Sequence, residues 1–312
     1  MTDERRVRGN GLSLSVTEWG ERGRPTVVLL HGFPDTSAVW APVVRRLSAD
    51  CRVVSYDVRG AGRSDVPRTR RDYALPLLVD DLVAVLDATS PDAAVHLVAH
   101  DWGSIQGWEA VTTKGLADRF ASYTSISGPP LDHAALWARR HRTLRPANLR
   151  LTVRQALHSW YIAYFHLPFV PELTTRNQRA TALWTSRLHR VERVPTDEEW
   201  PARTFGADFA HGVNLYRSNV LPRLRHPEVR HTDVPVQLIV PTRDRYITPE
   251  LLDGLEEWTS RLWRRQVDAS HWLIRSEPSL LAGWVRELVT FIATGEESDG
   301  LVRSRMGPST SS

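Results

Sequence analysis

Three side chains of this sequence, Asp101, Asp244 and His271, have the types and the chain order of a nucleophile, an acid and a base. Asp101 is the centre of the stretch AHDWG (residues 99–103), in which small residues two before and two after it permit a sharp strand-to-helix turn. Such a turn presents its central side chain at the edge of a parallel sheet. Asp101 could instead be an ordinary helix N-cap, which Asp favours, so its companions decide between the two interpretations.

Asp244 and His271 each follow a predicted strand, at residues 236–240 and 264–267. Taken alone, Asp244 could be a turn carboxylate, and His271 a surface or hydrogen-bonded core residue. The carboxyl ends of strands in an open α/β sheet face the ligand crevice. There His271 could act as a general base on the site of Asp101, with Asp244 orienting the imidazole and stabilising its protonated form.

The tetrapeptide HGFP (residues 31–34) ends another predicted strand. Gly32 lets the backbone come close to a ligand. The backbone N–H groups of Phe33 and Trp102 could form an oxyanion hole at the start of the helix after Asp101. We therefore assign His31, Phe33 and Trp102 to oxyanion or substrate binding.

A carboxylate nucleophile restricts the chemistry. Attack on an ester would give an anhydride, a poor intermediate, whereas attack on a saturated carbon gives a stable alkyl-enzyme ester. Water activated by His271 would then attack the ester carbonyl at Asp101, and the oxyanion hole would serve this second step. Asp101 therefore favours epoxides or alkyl halides over ordinary esters and amides.

Alternating strand and helix patterns predict an α/β fold with a mostly parallel sheet flanked by helices. Apolar runs and helical periodicity place its elements. The predicted strands are 11–20, 26–30, 52–56, 95–99, 121–127, 236–240 and 264–267, and the predicted helices are 37–47, 75–86, 104–113, 249–261 and 278–293.

The strand pattern stops after residue 127 and resumes near 235. Between them lie amphipathic helical pieces rich in aromatic residues. We predict a core of residues 1–128 and 231–295 with a helical insertion, residues 129–230. Residues 296–312 are charged and rich in Gly and Ser, and we expect them to be disordered.

Composition excludes several classes of protein. The 40 basic and 36 acidic residues give a net charge of only +4, weak support for nucleic-acid binding. The single Cys51 excludes an internal disulfide and a Cys-based metal site. Residues 1–10 lack the apolar core of a signal peptide, and no apolar run reaches the roughly 20 residues of a membrane span. We expect a cytoplasmic protein without metal or cofactor.

With these motifs, the chain resembles α/β-hydrolase-fold proteins of the epoxide hydrolase and haloalkane dehalogenase group. The resemblance runs from about Gly11 to Ala293 and rests on the Asp-centred turn and the His-Gly-x-Pro motif before it. It implies that the helical insertion is a cap domain. The segment 100–132 also resembles the hydrolase half of a bacterial fusion with a short-chain dehydrogenase, and we expect the hydrolase half alone here.

Epoxide hydrolases of this fold use two cap tyrosines to hold and protonate the epoxide oxygen. The resemblance assigns these to Tyr161, in WYIAYF (residues 160–165), and Tyr216, in NLYR (214–217), although either could be cap packing. Tyr164 is the alternative for the first position.

Dehalogenases of the group bind the departing halide with Trp102 and a second donor. Phe33 stands where some carry Asn, and their alternative acid position after residue 127 has no carboxylate. A cap tryptophan such as Trp160 or Trp184 could still supply the donor.

We therefore expect a cofactor-independent epoxide hydrolase with an apolar small-molecule substrate, no nucleic-acid partner and no membrane span. Whether it forms a homodimer is left open. The alternatives are a haloalkane dehalogenase, a biosynthetic enzyme of this fold acting on a large natural product, and a non-catalytic binder or sensor. The competent residues at every expected catalytic position argue against the last.

Overall fold

The computed structural model describes residues 2–142, 145–175, 178–195, 197 and 200–307. Within that part of the chain, an eight-stranded sheet has the spatial order β1-β2-β4-β3-β5-β6-β7-β8. The strands are β1 (Thr2–Arg8), β2 (Ser13–Trp19), β3 (Thr26–Leu30), β4 (Arg52–Tyr56), β5 (Val95–His100), β6 (Phe120–Ile126), β7 (Val236–Pro241) and β8 (Leu262–Val267).

Strands β3 to β8 pair in parallel, whereas β1 and β2 are antiparallel to their neighbours. All five residues of β3 and all six of β5 are buried, because helices cover both faces of the sheet. Burying each such Val or Leu contributes about 1.5–3 kcal/mol. The centre of the sheet is thus a rigid base for the turns at its carboxyl edge.

Helices surround the sheet and fill the long connection between β6 and β7. The core helices are α1 (Ala41–Leu47), α2 (Leu75–Thr89), α3 (Trp102–Val111), α10 (Leu273–Ser276), α11 (Pro278–Thr294) and α12 (Asp299–Ser304). The helical insertion consists of α4 (Leu131–His141), α5 (Pro146–His158), α6 (Trp160–His166), α7 (Val170–Thr175), α8 (Gln178–Glu192) and α9 (Phe205–Arg225).

The predicted α/β fold with a helical insertion after β6 is confirmed, and the limits 129 and 230 for that insertion stay a prediction. Each predicted strand begins and ends within two residues of the ends of an observed strand. Strand β1 was missed because its sequence, TDERRVR, is charged and only Val7 is buried. It forms the edge of the sheet by pairing with β2, which no local pattern indicates.

The predicted helix at 249–261 is wrong. Two short 3₁₀ helices, Pro249–Leu252 and Leu255–Trp258, occupy this segment. Gly254 between them has φ +91°, a left-handed conformation that ends one turn and starts another. The buried side chains of Leu251, Leu255 and Trp258 give the segment an apolar face without a continuous helix.

The structure also corrects the prediction of a disordered tail at 296–312. Ser298 caps α12, and Leu301 is fully buried in a small cluster with Trp263 and Leu288. The Met306 N–H donates to the carbonyl of Leu262 on strand β8. One buried leucine in a polar stretch has no periodicity to detect, so the sequence missed this helix. Residues 308–312 lie outside the described residues.

None of the described helices combines the length and the apolar character needed to cross a bilayer.

Candidate active site

The turn between β5 and α3 holds Asp101 in an uncommon backbone conformation, with φ +53° and ψ −122°. Two glycines allow the chain to pass closely around it. A Cβ on Gly103 would lie 2.4 Å from the carbonyl oxygen of Leu30, and one on Gly32 would lie 2.4 Å from Asp101 Oδ1. The predicted sharp strand-to-helix turn is therefore built against the end of β3.

Backbone N–H groups bind the carboxylate of Asp101. The Phe33 N–H donates to Oδ1 over 2.7 Å, and the Trp102 N–H also hydrogen-bonds the carboxylate. These are the two predicted oxyanion-hole donors. The Trp102 N–H lies at the positive end of α3, and Oδ2 of the same carboxylate faces His271.

His271 lies between two carboxylates. Its Nδ1 is 2.9 Å from Asp244 Oδ2, and its Nε2 is 3.6 Å from Asp101 Oδ2. The other oxygen of Asp244 accepts the N–H groups of Tyr246 and Ile247 at 2.8 and 3.1 Å. Asp244 is thus fixed by the backbone, and the Nδ1–H of His271 is held toward it, which leaves Nε2 directed at Asp101.

Burial and charge set the ionisation of this group. Burial raises the pKa of Asp101 to about 6, although the charge of His271 and the two N–H groups oppose that rise. Burial would lower the pKa of His271, but the charge and hydrogen bond of Asp244, and then the charge of Asp101, raise it to about 9. Burial likewise opposes ionisation of Asp244, yet His271 and the two backbone donors keep its pKa below the usual value.

These pKa values predict how a reaction of the Asp101 carboxylate would depend on pH. A role of Asp101 as a nucleophile would require its ionised form, so the rate of its alkylation should fall as pH falls through about 6, where the carboxyl group becomes protonated. The rate should change little from pH 7 to 9. Rapid-quench measurement of adduct formation at a series of pH values tests this. An acid limb at the ordinary Asp pKa near 4 would contradict it.

A cavity of about 270 Å³ opens above Asp101 and is lined by both predicted tyrosines. Tyr161 is on α6 and Tyr216 on α9, and their ring centroids are 5.8 Å apart at an interplanar angle of 89°. Burial, with the charge of Asp101 adding to it, raises the pKa of both phenols well above the ordinary value. Both therefore stay protonated near neutral pH and can donate a hydrogen bond into the cavity.

The alternative residues of the insertion lie elsewhere. Tyr164, three residues along α6, hydrogen-bonds Thr174 Oγ1 at 2.7 Å and does not line the cavity. Trp160 is 66 % exposed, and Trp184 packs against Phe209. Of these three, none contributes to the cavity wall.

His31 also differs from its expected role. Its Nε2 accepts the Val58 N–H at 2.9 Å and its Nδ1 lies 2.9 Å from the carbonyl of Gly32, so the ring is a neutral Nδ1–H tautomer. It is not part of the cavity wall. His31 is better described as a positioning residue, since it connects the loops after β3 and β4 and so supports Phe33.

Three buried polar residues near His271 were not found from the sequence. His100 Nε2 lies 2.9 Å from the His271 carbonyl oxygen and fixes that loop. Asp35 accepts the indole N–H groups of Trp200 and Trp272 at 2.7 and 2.8 Å, which connects the insertion to the loop after β8.

The third is Glu192, at the end of α8, whose side chain is 1 % exposed and whose charge adds to that of Asp244 in raising the pKa of His271. Of these three residues, only His100 could have been found from the sequence, because it directly precedes Asp101. Asp35 and Glu192 reach the site only through tertiary packing.

The described residues include no group of three or more His, Cys, Asp or Glu side chains placed to bind a metal ion. They bring together the Asp101 carboxylate, the His271 imidazole near one of its oxygens, two backbone N–H donors to it, and two phenols that line the same cavity. Such a site can alkylate a carboxylate and hydrolyse the resulting ester.

A family model described as the alpha/beta hydrolase fold matches residues 25–278. The "Probable oxidoreductase EphD" of Mycobacterium tuberculosis is 36 % identical over 304 residues, which is 96 % of this chain and 51 % of that protein. The chain thus spans about half the length of this relative. "Epoxide hydrolase A" of Mycobacterium tuberculosis is 35 % identical over 95 % of this chain and 86 % of its own length.

Among solved structures, the Bacillus megaterium epoxide hydrolase in complex with an inhibitor is similar, with a TM-score of 0.75. Its sequence is 23 % identical, and the match covers 92 % of this chain and all of that one. At this identity the likeness concerns the fold.

Proposed function

This chain belongs to the α/β-hydrolase fold family, and from that we propose that it hydrolyses an epoxide to a vicinal diol through an alkyl-enzyme ester on Asp101. One observation carries the proposal. The residue at the strand-to-helix turn is a carboxylate, and it shares a cavity with two protonated phenols while its Oδ2 faces an imidazole. "Epoxide hydrolase A", similar over most of both chains, supports the same activity.

In the first step, Asp101 Oδ2 attacks the less hindered carbon of the epoxide. The C–O bond of the ring breaks, and its electron pair goes to the epoxide oxygen. Tyr161 and Tyr216 bind that oxygen, and one of them transfers its proton to it, which leaves a phenolate and a hydroxyl. Asp101 Oδ1 stays with the Phe33 N–H and becomes the carbonyl oxygen of the ester.

The second step is hydrolysis of that ester. Before alkylation, the negative charge of Asp101 favours the protonated form of His271. Ester formation removes this charge, so the pKa of His271 falls. Its proton then passes to the phenolate, and the neutral imidazole that remains can act as a general base. Water then loses a proton to Nε2 and attacks the carboxyl carbon, while the N–H groups of Phe33 and Trp102 stabilise the oxyanion, an effect worth about 3–4 kcal/mol per donor.

The protons balance without a co-reactant. Collapse of the tetrahedral intermediate releases the alcohol oxygen and regenerates the carboxylate of Asp101. The water supplies one proton to the diol and one to restore the phenol, with His271 as carrier. The sum is epoxide plus water giving diol.

The cavity wall favours an apolar substrate. Away from Asp101 and the tyrosines it is formed largely by aliphatic side chains and Trp137, among them Ile105, Val220 and Leu251. A volume of about 270 Å³ holds a substrate of modest size. An apolar aryl or alkyl epoxide therefore fits best.

Haloalkane dehalogenation is the alternative. It needs a second N–H donor, in addition to Trp102, to bind the departing halide. Phe33 offers only its backbone N–H, which is occupied by Asp101. Neither Trp160 nor Trp184 lines the cavity, but Trp137 of the insertion does. We favour epoxide opening because it gives the two tyrosines a role that halide release does not require.

Replacing the tyrosines tests this function. Tyr161→Phe and Tyr216→Phe should each lower the rate at which the epoxide is opened by about 10²-fold, because each removes a hydrogen-bond donor to the developing alkoxide. The double variant should lower this rate further. Tyr164→Phe is the matched control, from the same helix and outside the cavity, and should keep full activity. Diol formation from a chromogenic aryl epoxide is measured for the wild type and these four variants.

The same assay with a haloalkane separates the alternatives. Release of halide by the wild type at a rate unaffected by the tyrosine changes would support a dehalogenase. Binding without turnover of either class would support a binder or sensor.

A further inference from the structure

The outer face of helix α5 carries an uninterrupted row of exposed apolar side chains. Leu149, Val153 and Leu157 are 51, 48 and 69 % exposed, and Trp160 follows at 66 %. The spacing of four residues places Leu149, Val153 and Leu157 on one side of α5, and Trp160 is the first residue of α6, shortly after the end of α5. We call these four residues the α5 stripe. Contiguous exposed apolar surface of this kind is typical of an interaction site.

The same segment is strongly basic. Residues 133–171 contain no Asp or Glu and six arginines, at positions 139, 140, 142, 145, 150 and 154. Arg140 and Arg154 pair with Glu257 and Glu250 of the core. Arg142, Arg145 and Arg150 are exposed and form no ion pair with any other described residue. Arg150 and Arg154 follow the stripe along one border of α5.

The other border of the stripe adjoins the cavity. Thr152, Gln155 and Ala156 of the same helix line it, and Ala156, which is exposed, comes directly before Leu157. Leu224 on α9 also both lines the cavity and reaches the surface. The cavity therefore meets solvent beside the α5 stripe.

We propose that the α5 stripe and its arginines bind an anionic lipid surface, with the cavity mouth turned toward the lipid. Exposed leucines and a tryptophan beside arginines on an amphipathic helix are the features of a helix that lies in a membrane interface. The alternative partner for an apolar stripe is a second copy of this chain. The arginines disfavour it, because a two-fold contact across the stripe would bring two basic segments together, whereas anionic headgroups neutralise them.

Sedimentation with vesicles tests the proposal. The full chain is mixed with vesicles of phosphatidylcholine alone, or of phosphatidylcholine and phosphatidylglycerol in equal parts. The stripe variant combines Leu149→Gln, Val153→Gln and Leu157→Gln, which keeps helix propensity. A matched control combines Val66→Gln, Val229→Gln and Val302→Gln, whose native side chains are also exposed but lie elsewhere.

We expect wild type and control to bind anionic vesicles, and the stripe variant to bind at least about tenfold more weakly. Arg145→Gln and Arg150→Gln should each weaken binding about fivefold at low salt, and less at high salt. Circular dichroism of the stripe variant confirms that it is folded.

Two results would overturn the proposal. One is equal binding, or no binding, by the wild type and the stripe variant. The other is a dimer, seen by analytical ultracentrifugation, that forms in place of vesicle binding and that the stripe variant lacks. The vesicle assay involves no turnover, so its outcome does not depend on the proposed epoxide hydrolysis.

Discussion

Replacing Asp101 with alanine is expected to lower kcat/KM for an aryl epoxide by about 10⁴-fold or more, the range found when a covalent nucleophile is removed. The residual donors of the site, the tyrosines and the N–H groups of Phe33 and Trp102, cannot replace a nucleophile. Diol formation is measured against Asp92→Ala, a change of the same type at an exposed loop position, which should keep wild-type activity.

The Asp101→Ala variant should lose activity without becoming less stable. The carboxyl group of Asp101 is buried enough to raise its pKa to about 6, so folding bears the cost of its desolvation, and alanine removes that cost. The Tm of Asp101→Ala should therefore equal or exceed that of the wild type. A variant that loses activity only because it unfolds would show a lower Tm and would leave the role of Asp101 undecided by kinetics alone.

Isotope labelling then distinguishes a nucleophile from a base. In a single turnover in heavy-oxygen water, the water oxygen should enter the carboxylate of Asp101, and the first diol should carry an original oxygen of Asp101. Peptide mass spectrometry measures the label. If the label is found only in the diol, water attacks the epoxide directly and no ester forms on Asp101.

The second large effect is expected for His271→Gln. The variant should still open the epoxide, because the nucleophile and the phenols remain, but should hydrolyse the ester about 10⁴-fold more slowly. The enzyme would then accumulate an adduct whose intact mass exceeds the protein's by the mass of the epoxide. The charge of His271 lowers the pKa of Asp101, so its loss raises that pKa, and the measurement belongs at pH 8 or above.

Two controls make the adduct specific. His231→Gln, a change at an exposed histidine, should turn over normally and show no adduct. The double variant Asp101→Ala/His271→Gln should show none either, because it lacks the nucleophile. A folded His271→Gln enzyme that binds the epoxide yet never gains its mass would count against an ester intermediate.

Much of the fold followed from local patterns. The buried runs of β3 to β7 and their alternation with helices suffice to predict a parallel sheet, since strands covered on both faces must be apolar throughout. The chain order of Asp101, Asp244 and His271 predicted a shared edge, and the structure places them in line across it. Strand β1 and helix α12 escaped prediction because each buries very little apolar surface of its own.

The proposed chemistry could be inferred from the sequence alone, because the type of residue at position 101 selects between attack on a carbonyl and attack on a saturated carbon. Tertiary structure alone decided which phenol reaches the cavity: Tyr161 and Tyr164 are three residues apart on one helix, and packing directs them differently. It also brought Asp35 and Glu192 to the neighbourhood of His271 from distant segments. Such contacts depend on how whole elements pack, which no short stretch of residues encodes.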